Sequence, residues 1–430
     1  MFNQAYDVII IGAGAAGLAV ARTLHNYGYN LLILEARDRL GGRTHTNYEL
    51  LQGYPLELGG EFIHGQYAPT HDLVQSFGFS TIQVPRKETL RWGEPAQVAI
   101  AVDQLTEPVR SRLLALYIAY TDLLRSTPQT DQSLASYFLG LGFTSDEVNI
   151  ADILFAQTCC APIESLSCLD LIHEAQRDRA GQSDFRVRQG YSELFTRYSE
   201  SLPIHYQQVV QQLEWAQGSV TVHTRDGGIF NARRCVITVP IGVLQHGDLQ
   251  FIPNLPPAKQ QAIATYRMEG ATKLIYLFDQ PMWDADLAYM ARIGKVARWW
   301  TPTYQLEAPL AALTAFLTAD LARQLDDLSE ADALLLGLEE AAGLLGVGMT
   351  TLQSHLQHQM RVSWAHDPFA RGGYAYIPVG GTSARTEMCQ PVEHTLYFAG
   401  EAYATMSNPQ TVHGAMESGW VVAHTILQDH

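Results

Sequence analysis

Within its first fifty or so positions the chain switches apolar period twice. Residues 7–11 (DVIII) are an unbroken apolar run, residues 15–27 carry apolar side chains at three and four spacing, and residues 31–35 (LLILE) are a second run. Short runs bounded by turn residues fit strands buried on both faces, and three–four spacing fits a helix. The stretch therefore predicts strand, turn, helix to about Tyr27, and strand. Further on, residues 85–180 turn mostly helical, as in EPVRSRLLALYIAYTDLLRS and TSDEVNIADILFAQTCC, with Thr144 and Glu147 spaced as a capping box. From residue 189 a short helix, GYSELFTRYSESL, leads into alternating strands around Asp226-Gly227-Gly228, and Pro253, Pro256 and Pro257 close that section. Strands resume after Tyr266 with ATKLIYLF. The Ala/Leu-rich residues 310–345 predict two helices, with Ser329 as the N-cap between them. A last strand and helix, LYFAGEAYATMSNPQTVHGAMESGWVVAHTIL, are placed to return to the first domain.

The turn after the first strand carries Gly12, Gly14 and Gly17 in G-x-G-x-x-G spacing. Gly12 allows the tight turn, Gly14 lets backbone approach a pyrophosphate, and Gly17 lets helix and strand pack closely. The helix N-terminus then offers free N–H groups to the phosphates. Glu35 ends the second strand, where a carboxylate can accept both hydrogen bonds of a ribose diol. A glycine fingerprint alone is weak, but strand, helix and acid together favour a dinucleotide site over an ordinary strand–turn–helix. In ARDRLGGRT, Gly41 and Gly42 beside Arg43 offer a second phosphate cradle or a plain surface turn. In LELGGEFIHG, Gly59 and Gly60 would let a flat ring lie against the backbone.

The 430 residues suffice for two domains, and 47 % apolar content is ordinary for a globular protein. With 44 acidic and 28 basic residues, the net charge of −16 disfavours nucleic acid and anionic membranes and suits a small cationic partner, although it serves solubility equally well. Five scattered cysteines, with Cys159 and Cys160 adjacent, are no disulfide framework, so a reducing, cytoplasmic setting is expected. No basic region precedes the first apolar run, no stretch offers ~20 apolar residues, and no apolar tail ends the chain, so neither signal nor membrane anchor is expected.

The strings IIIGAGAAGLAVARTL, LEARDRLGGRT, ELGGEFIHG, VITVPIGVL, the strand around Lys273, SWAHDPFARGGYAYIPVG and FAGEAY with TVHGAMESG resemble, in this order, the flavin-dependent amine oxidase family of polyamine, monoamine and L-amino-acid oxidases and histone lysine demethylases. The likeness spans essentially the whole chain. It implies an α/β fold: a Rossmann-like FAD-binding domain built from residues 1–85, 186–262 and 385–430, and an α+β substrate-binding domain, a mixed sheet flanked by helices, from residues 86–185 and 263–384. It also implies FAD rather than NAD. Gly12, Gly14, Gly17, Glu35 and Arg43 would hold the ADP half, with Val210 near the adenine. Gly59, Gly60 and Glu61 would lie along the isoalloxazine. Glu401 would reach the ribityl or pyrophosphate region, and Val412 would offer its N–H to the pyrimidine edge. Monoamine oxidases carry a linking cysteine near the position of Tyr374, and this chain has none there, so non-covalent FAD is expected.

For chemistry the resemblance points to Lys273, whose counterpart holds a water against flavin N5 and assists reoxidation. A gatekeeper lysine on a sheet edge would look the same in sequence. His64 matches the histidine of animal-type polyamine oxidases beside the substrate tunnel, although a packed or solvated histidine is the commoner case. Tyr374 matches an aromatic wall. Thr411, counted with Val412 among the cofactor contacts, stands where monoamine oxidases place a cage tyrosine. Trp299, Trp300, Trp364 and Tyr403 are tunnel-wall candidates, with core packing the alternative for each.

Together these imply oxidation of a C–N bond in a polyamine: hydride transfer to the flavin, imine hydrolysis to aldehyde and amine, and reoxidation by O2 to hydrogen peroxide. A monomer or homodimer without a metal is expected. An L-amino-acid oxidase is the nearest rival and would need a carboxylate-binding arginine such as Arg86, Arg91 or Arg298. A flavin-bearing scaffold, as histone demethylases partly are, is disfavoured by the lack of a basic surface and of a long helical insertion. A redox-silent nucleotide-binding fold would not require Lys273 or the FAGE block.

Overall fold

The computed structural model describes residues 6–85, 90–93, 97–127 and 130–429. Its two apolar N-terminal runs become the interior of one sheet. Tyr6–Ile11 lies parallel between Leu31–Leu34 and Ile229–Ile237, and Ile204–His205 extends the sheet beyond Leu31–Leu34. The long strand Ile229–Ile237 forks: its first half joins the antiparallel meander of Ser219–Thr224 and Val210–Ala216, and its second half pairs in parallel with Leu396–Phe398. Helix Ala15–Asn26 covers one face of this sheet and carries the C-terminal helix Val412–Gln428 on its back. Glycine makes that approach: a Cβ on Gly419 would stand 2.4 Å from the Ala16 carbonyl oxygen.

A second, mixed sheet runs Leu356–Ser363, Ala271–Phe278, Ala311–Thr318, Arg298–Trp300, Tyr289–Arg292, Leu90–Gly93, Ile100–Ala101. Here two expectations are corrected. Residues 311–318 are a strand rather than the start of a helix; the helices of that region are Ala319–Asp326 and Glu330–Leu345, with Ser329 capping the latter. Alanine favours helix by only a few tenths of a kcal/mol per residue over most alternatives. Pairing on both sides of Ala311–Thr318, with Ala312 and Ala315 fully buried, overrides that preference. The helical region is also shorter than its composition suggested, since Leu90–Gly93 and Ile100–Ala101 join the sheet before Val109–Arg125, Leu134–Gly140, Ser145–Leu154 and Cys168–Arg177. The capping box forms as expected, with Glu147 accepting from the Thr144 backbone at 2.8 Å.

A small sheet of Ile63–His64, Asp184–Val187 and Thr81–Val84 sits where the glycine-rich 59–65 loop passes between the larger parts. Among the described residues no single helix is long and apolar enough to cross a membrane.

Candidate active site

The fingerprint glycines turn as their spacing required. Gly12 adopts φ +103°, and a Cβ on Gly17 would lie 2.0 Å from the Gly12 carbonyl oxygen. Gly14 bridges to Gly41, so the two glycine loops face each other, and a Cβ on Gly14 would meet only Gly41 and Gly42 at 3.9 Å. Gly14 is thus not demanded by packing within the chain. Glu35, 3 % exposed, accepts from Ala13 N at 2.7 Å and from Arg37 N at 2.8 Å. A carboxylate has about four acceptor positions, so capacity for a ribose diol remains. Gln207 N and Gln208 N donate to the carbonyls of Arg37 and Glu35, which sets the start of the Val210 strand beside this turn.

Arg43 and Glu401, expected to act separately, are joined. Arg43 Nη1 donates to Glu401 Oε1 at 2.9 Å and to the Gly373 carbonyl at 2.7 Å, and Ala375 N donates to the same Glu401 oxygen. Glu401 Oε2 and the Tyr403 hydroxyl are buried and have no hydrogen-bond partner among the described residues. An acceptor and a donor left unpaired in one short turn fit a hydroxyl-bearing group arriving there, as the ribityl chain of FAD would. Tyr374 donates to the Thr158 carbonyl at 3.0 Å, and Gln410 ties the Cys159 and Ala375 carbonyls together, so the Cys159–Cys160 turn braces this junction. Both thiols are pushed up to about 12 by burial.

Gly59 is tightly required, since a Cβ would lie 2.0 Å from Arg43 O and 2.8 Å from Trp364 Cζ2. Trp364, donating to the Leu58 carbonyl at 3.2 Å, therefore stands against the loop expected to carry the flavin ring. Gly60 is looser, its Cβ position lying 3.5 Å from Thr44 Cγ2 and Val412 Cγ2. That contact places the start of the closing helix beside the loop, and Thr411 caps the helix by accepting from Gly414 N at 2.9 Å.

Lys273 is 3 % exposed in a strand with partners on both sides, which rules out the edge gatekeeper. Its Nζ donates to the Glu57 carbonyl at 2.8 Å and to Glu61 Oε2 at 3.0 Å, and lies 5.2 Å from the centre of the Trp300 ring. Glu61 also accepts from Trp300 Nε1 at 2.8 Å and pairs with Arg186 Nε at 3.0 Å. Beside them the Glu57 carboxyl, bonded by Thr46 and Tyr191 N, is pushed up to about 7, chiefly by burial.

His64 Nδ1 lies 2.7 Å from Asp184 Oδ1, at a more open place, its side chain 42 % exposed. The buried ring of His413, next to Val412, is pushed down to about 4 by burial and then by the charge of His64.

Two tunnel-wall assignments fail. Trp299 projects to the opposite face from Trp300, stacks on Tyr276 at 6.4 Å and donates to the Val296 carbonyl, all in the core. Tyr403, 2 % exposed, meets Tyr266 edge-on at 6.1 Å in the core of the first sheet. Of the carboxylate-binding arginines, Arg86 lies outside the described residues. Arg91 pairs with Asp284 and Asp286 at the surface. Arg298 is buried, with one donor to the Leu154 carbonyl at 3.3 Å. Arg186, Asp184 and Glu57 went unrecognised in the sequence. The first two lie in SDFRVRQ, whose alternation marks a strand with charges on its inner face.

The flavin-containing amine oxidoreductase profile matches residues 15–427. The chain belongs to that family. FAD is its cofactor, and the residues described above fit it. The chain is 27 % identical over 442 residues to lysine-specific histone demethylase 1 homolog 2 of Oryza sativa subsp. japonica, covering 98 % of this chain and 57 % of that protein. It is 25 % identical over 448 residues to polyamine oxidase 2 of Arabidopsis thaliana, covering 98 % and 88 %. The chain thus spans only a little over half the length of the demethylase relatives it matches. Among solved structures, wild-type putrescine oxidase bound to putrescine superposes with a TM-score of 0.87 at 22 % identity over 99 % of both chains. Cyclohexylamine oxidase from Brevibacterium oxydans IH-35A gives 0.85 at 20 %. These likenesses carry the fold.

Proposed function

We propose that this family member oxidises a C–N bond of a small di- or polyamine, with O2 as electron acceptor and water to hydrolyse the imine, yielding an aldehyde, the released amine or ammonia, and hydrogen peroxide. The observation that carries this reading is Lys273, buried in the second sheet and reaching the loop where Gly59, Gly60 and the start of the closing helix meet. The preference for a cationic substrate rests on the Asp184–His64 pair, the net charge of −16, and the relatives named for polyamine oxidation.

Bound FAD, held without a covalent link, supplies the two-electron oxidation of the amine-bearing carbon and the return of those electrons to O2. The residues of the chain prepare the substrate. An alkyl amine has a pKa of ~10 and arrives charged, drawn by an acidic protein. Removal from water then favours its neutral form. With Nδ1 taken by Asp184, His64 has Nε2 left to bond the substrate nitrogen. Lys273 stands ready for the oxygen reaction.

A second reading is an oxidase of amino acids. Arg298 favours it: the side chain lies on the Lys273 side of the sheet, and its buried Nε has no hydrogen-bond partner among the described residues. Peroxide release across putrescine, spermidine, spermine, tyramine and basic L-amino acids separates the two. Turnover of an amino acid alone overturns the polyamine reading.

A further inference from the structure

Three chain regions converge on a single buried carboxylate, that of Glu61, two by hydrogen bonds and one, Arg186, as an ion pair. Its side chain is 2 % exposed, and those of its partners Lys273 and Arg186 are 3 % and 6 %. Lys273 Nζ and Trp300 Nε1 both reach Oε2, at 3.0 and 2.8 Å, while Arg186 Nε reaches Oε1 at 3.0 Å. Arg186 is itself fixed, donating to the Pro302 carbonyl and lying over the Phe62 ring at 5.4 Å.

Lysine is a flexible stem ending in three N–H donors. Glu61 and the Glu57 carbonyl take two of them, and the Trp300 face covers a further side. The direction left for the third is thereby set.

We infer that Glu61 is the positioning residue for Lys273: it sets the aim of the ammonium, and through it the rate at which the reduced cofactor reacts with oxygen. This rests on the reading of Lys273 given above. Among the described residues the charged groups around Lys273 are Glu61, Glu57, Arg186 and, on the same face of the sheet, Arg298, and Glu61 is the one whose side chain bonds its Nζ.

The test uses holoenzyme reduced by dithionite rather than by an amine, so it stands whichever substrate is correct. On mixing with O2 in a stopped-flow instrument, E61Q is expected to reoxidise at least tenfold more slowly. In E61Q/K273M the slowing should be no greater than in K273M alone. Unchanged reoxidation, or slowing that multiplies in the double variant, overturns the inference. Should E61Q fail to retain flavin, E61D keeps the charge but withdraws it by one methylene. Slower reoxidation is again expected there, and a wild-type rate overturns the proposal. In flavin-free protein E61Q should lower Tm and K273M should restore part of the loss; strictly additive losses mean the two side chains do not act as a pair.

Discussion

Arg43 Nη1 lies 2.9 Å from Glu401 Oε1, joining residues 358 positions apart in the chain. The pair clasps the second glycine loop to the FAGE turn, and Arg43 also grips the Gly373 carbonyl. One guanidinium therefore holds three regions that the cofactor must touch together. Hydrogen bonds to charged groups are worth about 1.5–3 kcal/mol. Arg43→Ala should weaken flavin retention by roughly 30-fold, equivalent to about 2 kcal/mol, as measured by flavin released on dialysis. Retention equal to wild type would show that the clasp is not used for cofactor binding.

The neighbouring glycines 59 and 60 should behave differently. Gly59→Ala drives a methyl into the Arg43 carbonyl and the Trp364 ring, and overpacking of this kind costs about 1–3 kcal/mol or more. Gly60→Ala meets only ordinary contacts at 3.5 Å. The flavin-free Tm should fall for the first and hold for the second, while both lose flavin affinity. A G60A protein that binds flavin normally would place the ring elsewhere.

Glu57 makes a pH prediction. Its carboxyl is raised from 4.5 to about 7 in the folded chain, chiefly by burial, so between those values the native state holds a proton that the unfolded chain has lost. The resulting stabilisation is present below pH 4.5 and is lost as pH rises through about 7. Relative to Glu57→Gln, wild type should lose roughly 3 kcal/mol between pH 4.5 and 8. Urea unfolding of both proteins across this range checks it, and parallel curves would mean that Glu57 titrates normally.

Lys273→Met keeps the length of the stem and removes the charge. The expected result is a protein still reduced by its amine but reoxidised at least tenfold more slowly. Normal oxygen reactivity would remove Lys273 from the chemistry.

What sequence revealed follows from where the controlling forces lie. The residue 7–35 unit was legible because apolar period and glycine spacing are local, and the observed strands and helix match them within a residue. Residues 311–318 were misread because neighbouring strands, not their alanine content, decide their conformation. Lys273 stood out by its surroundings. Its partners did not, because Glu61 and Arg186 are brought to it across 212 and 87 positions of chain by pairing that no local pattern encodes. Trp299 and Trp300 show the same limit, since adjacent tryptophans on a strand face opposite ways and only the sheet's surroundings decide which is core.

The packing of Val412–Gln428 on Ala15–Asn26 has a consequence for biogenesis. The glycine turn that receives the nucleotide leaves the ribosome well before the helix braced against it and the Glu401 that clasps Arg43, which are made hundreds of residues later. A nascent chain cannot load its cofactor until that late segment has emerged. Until then the apolar back of the early helix must be shielded by other means, and a chain interrupted before residue 400 would accumulate without flavin.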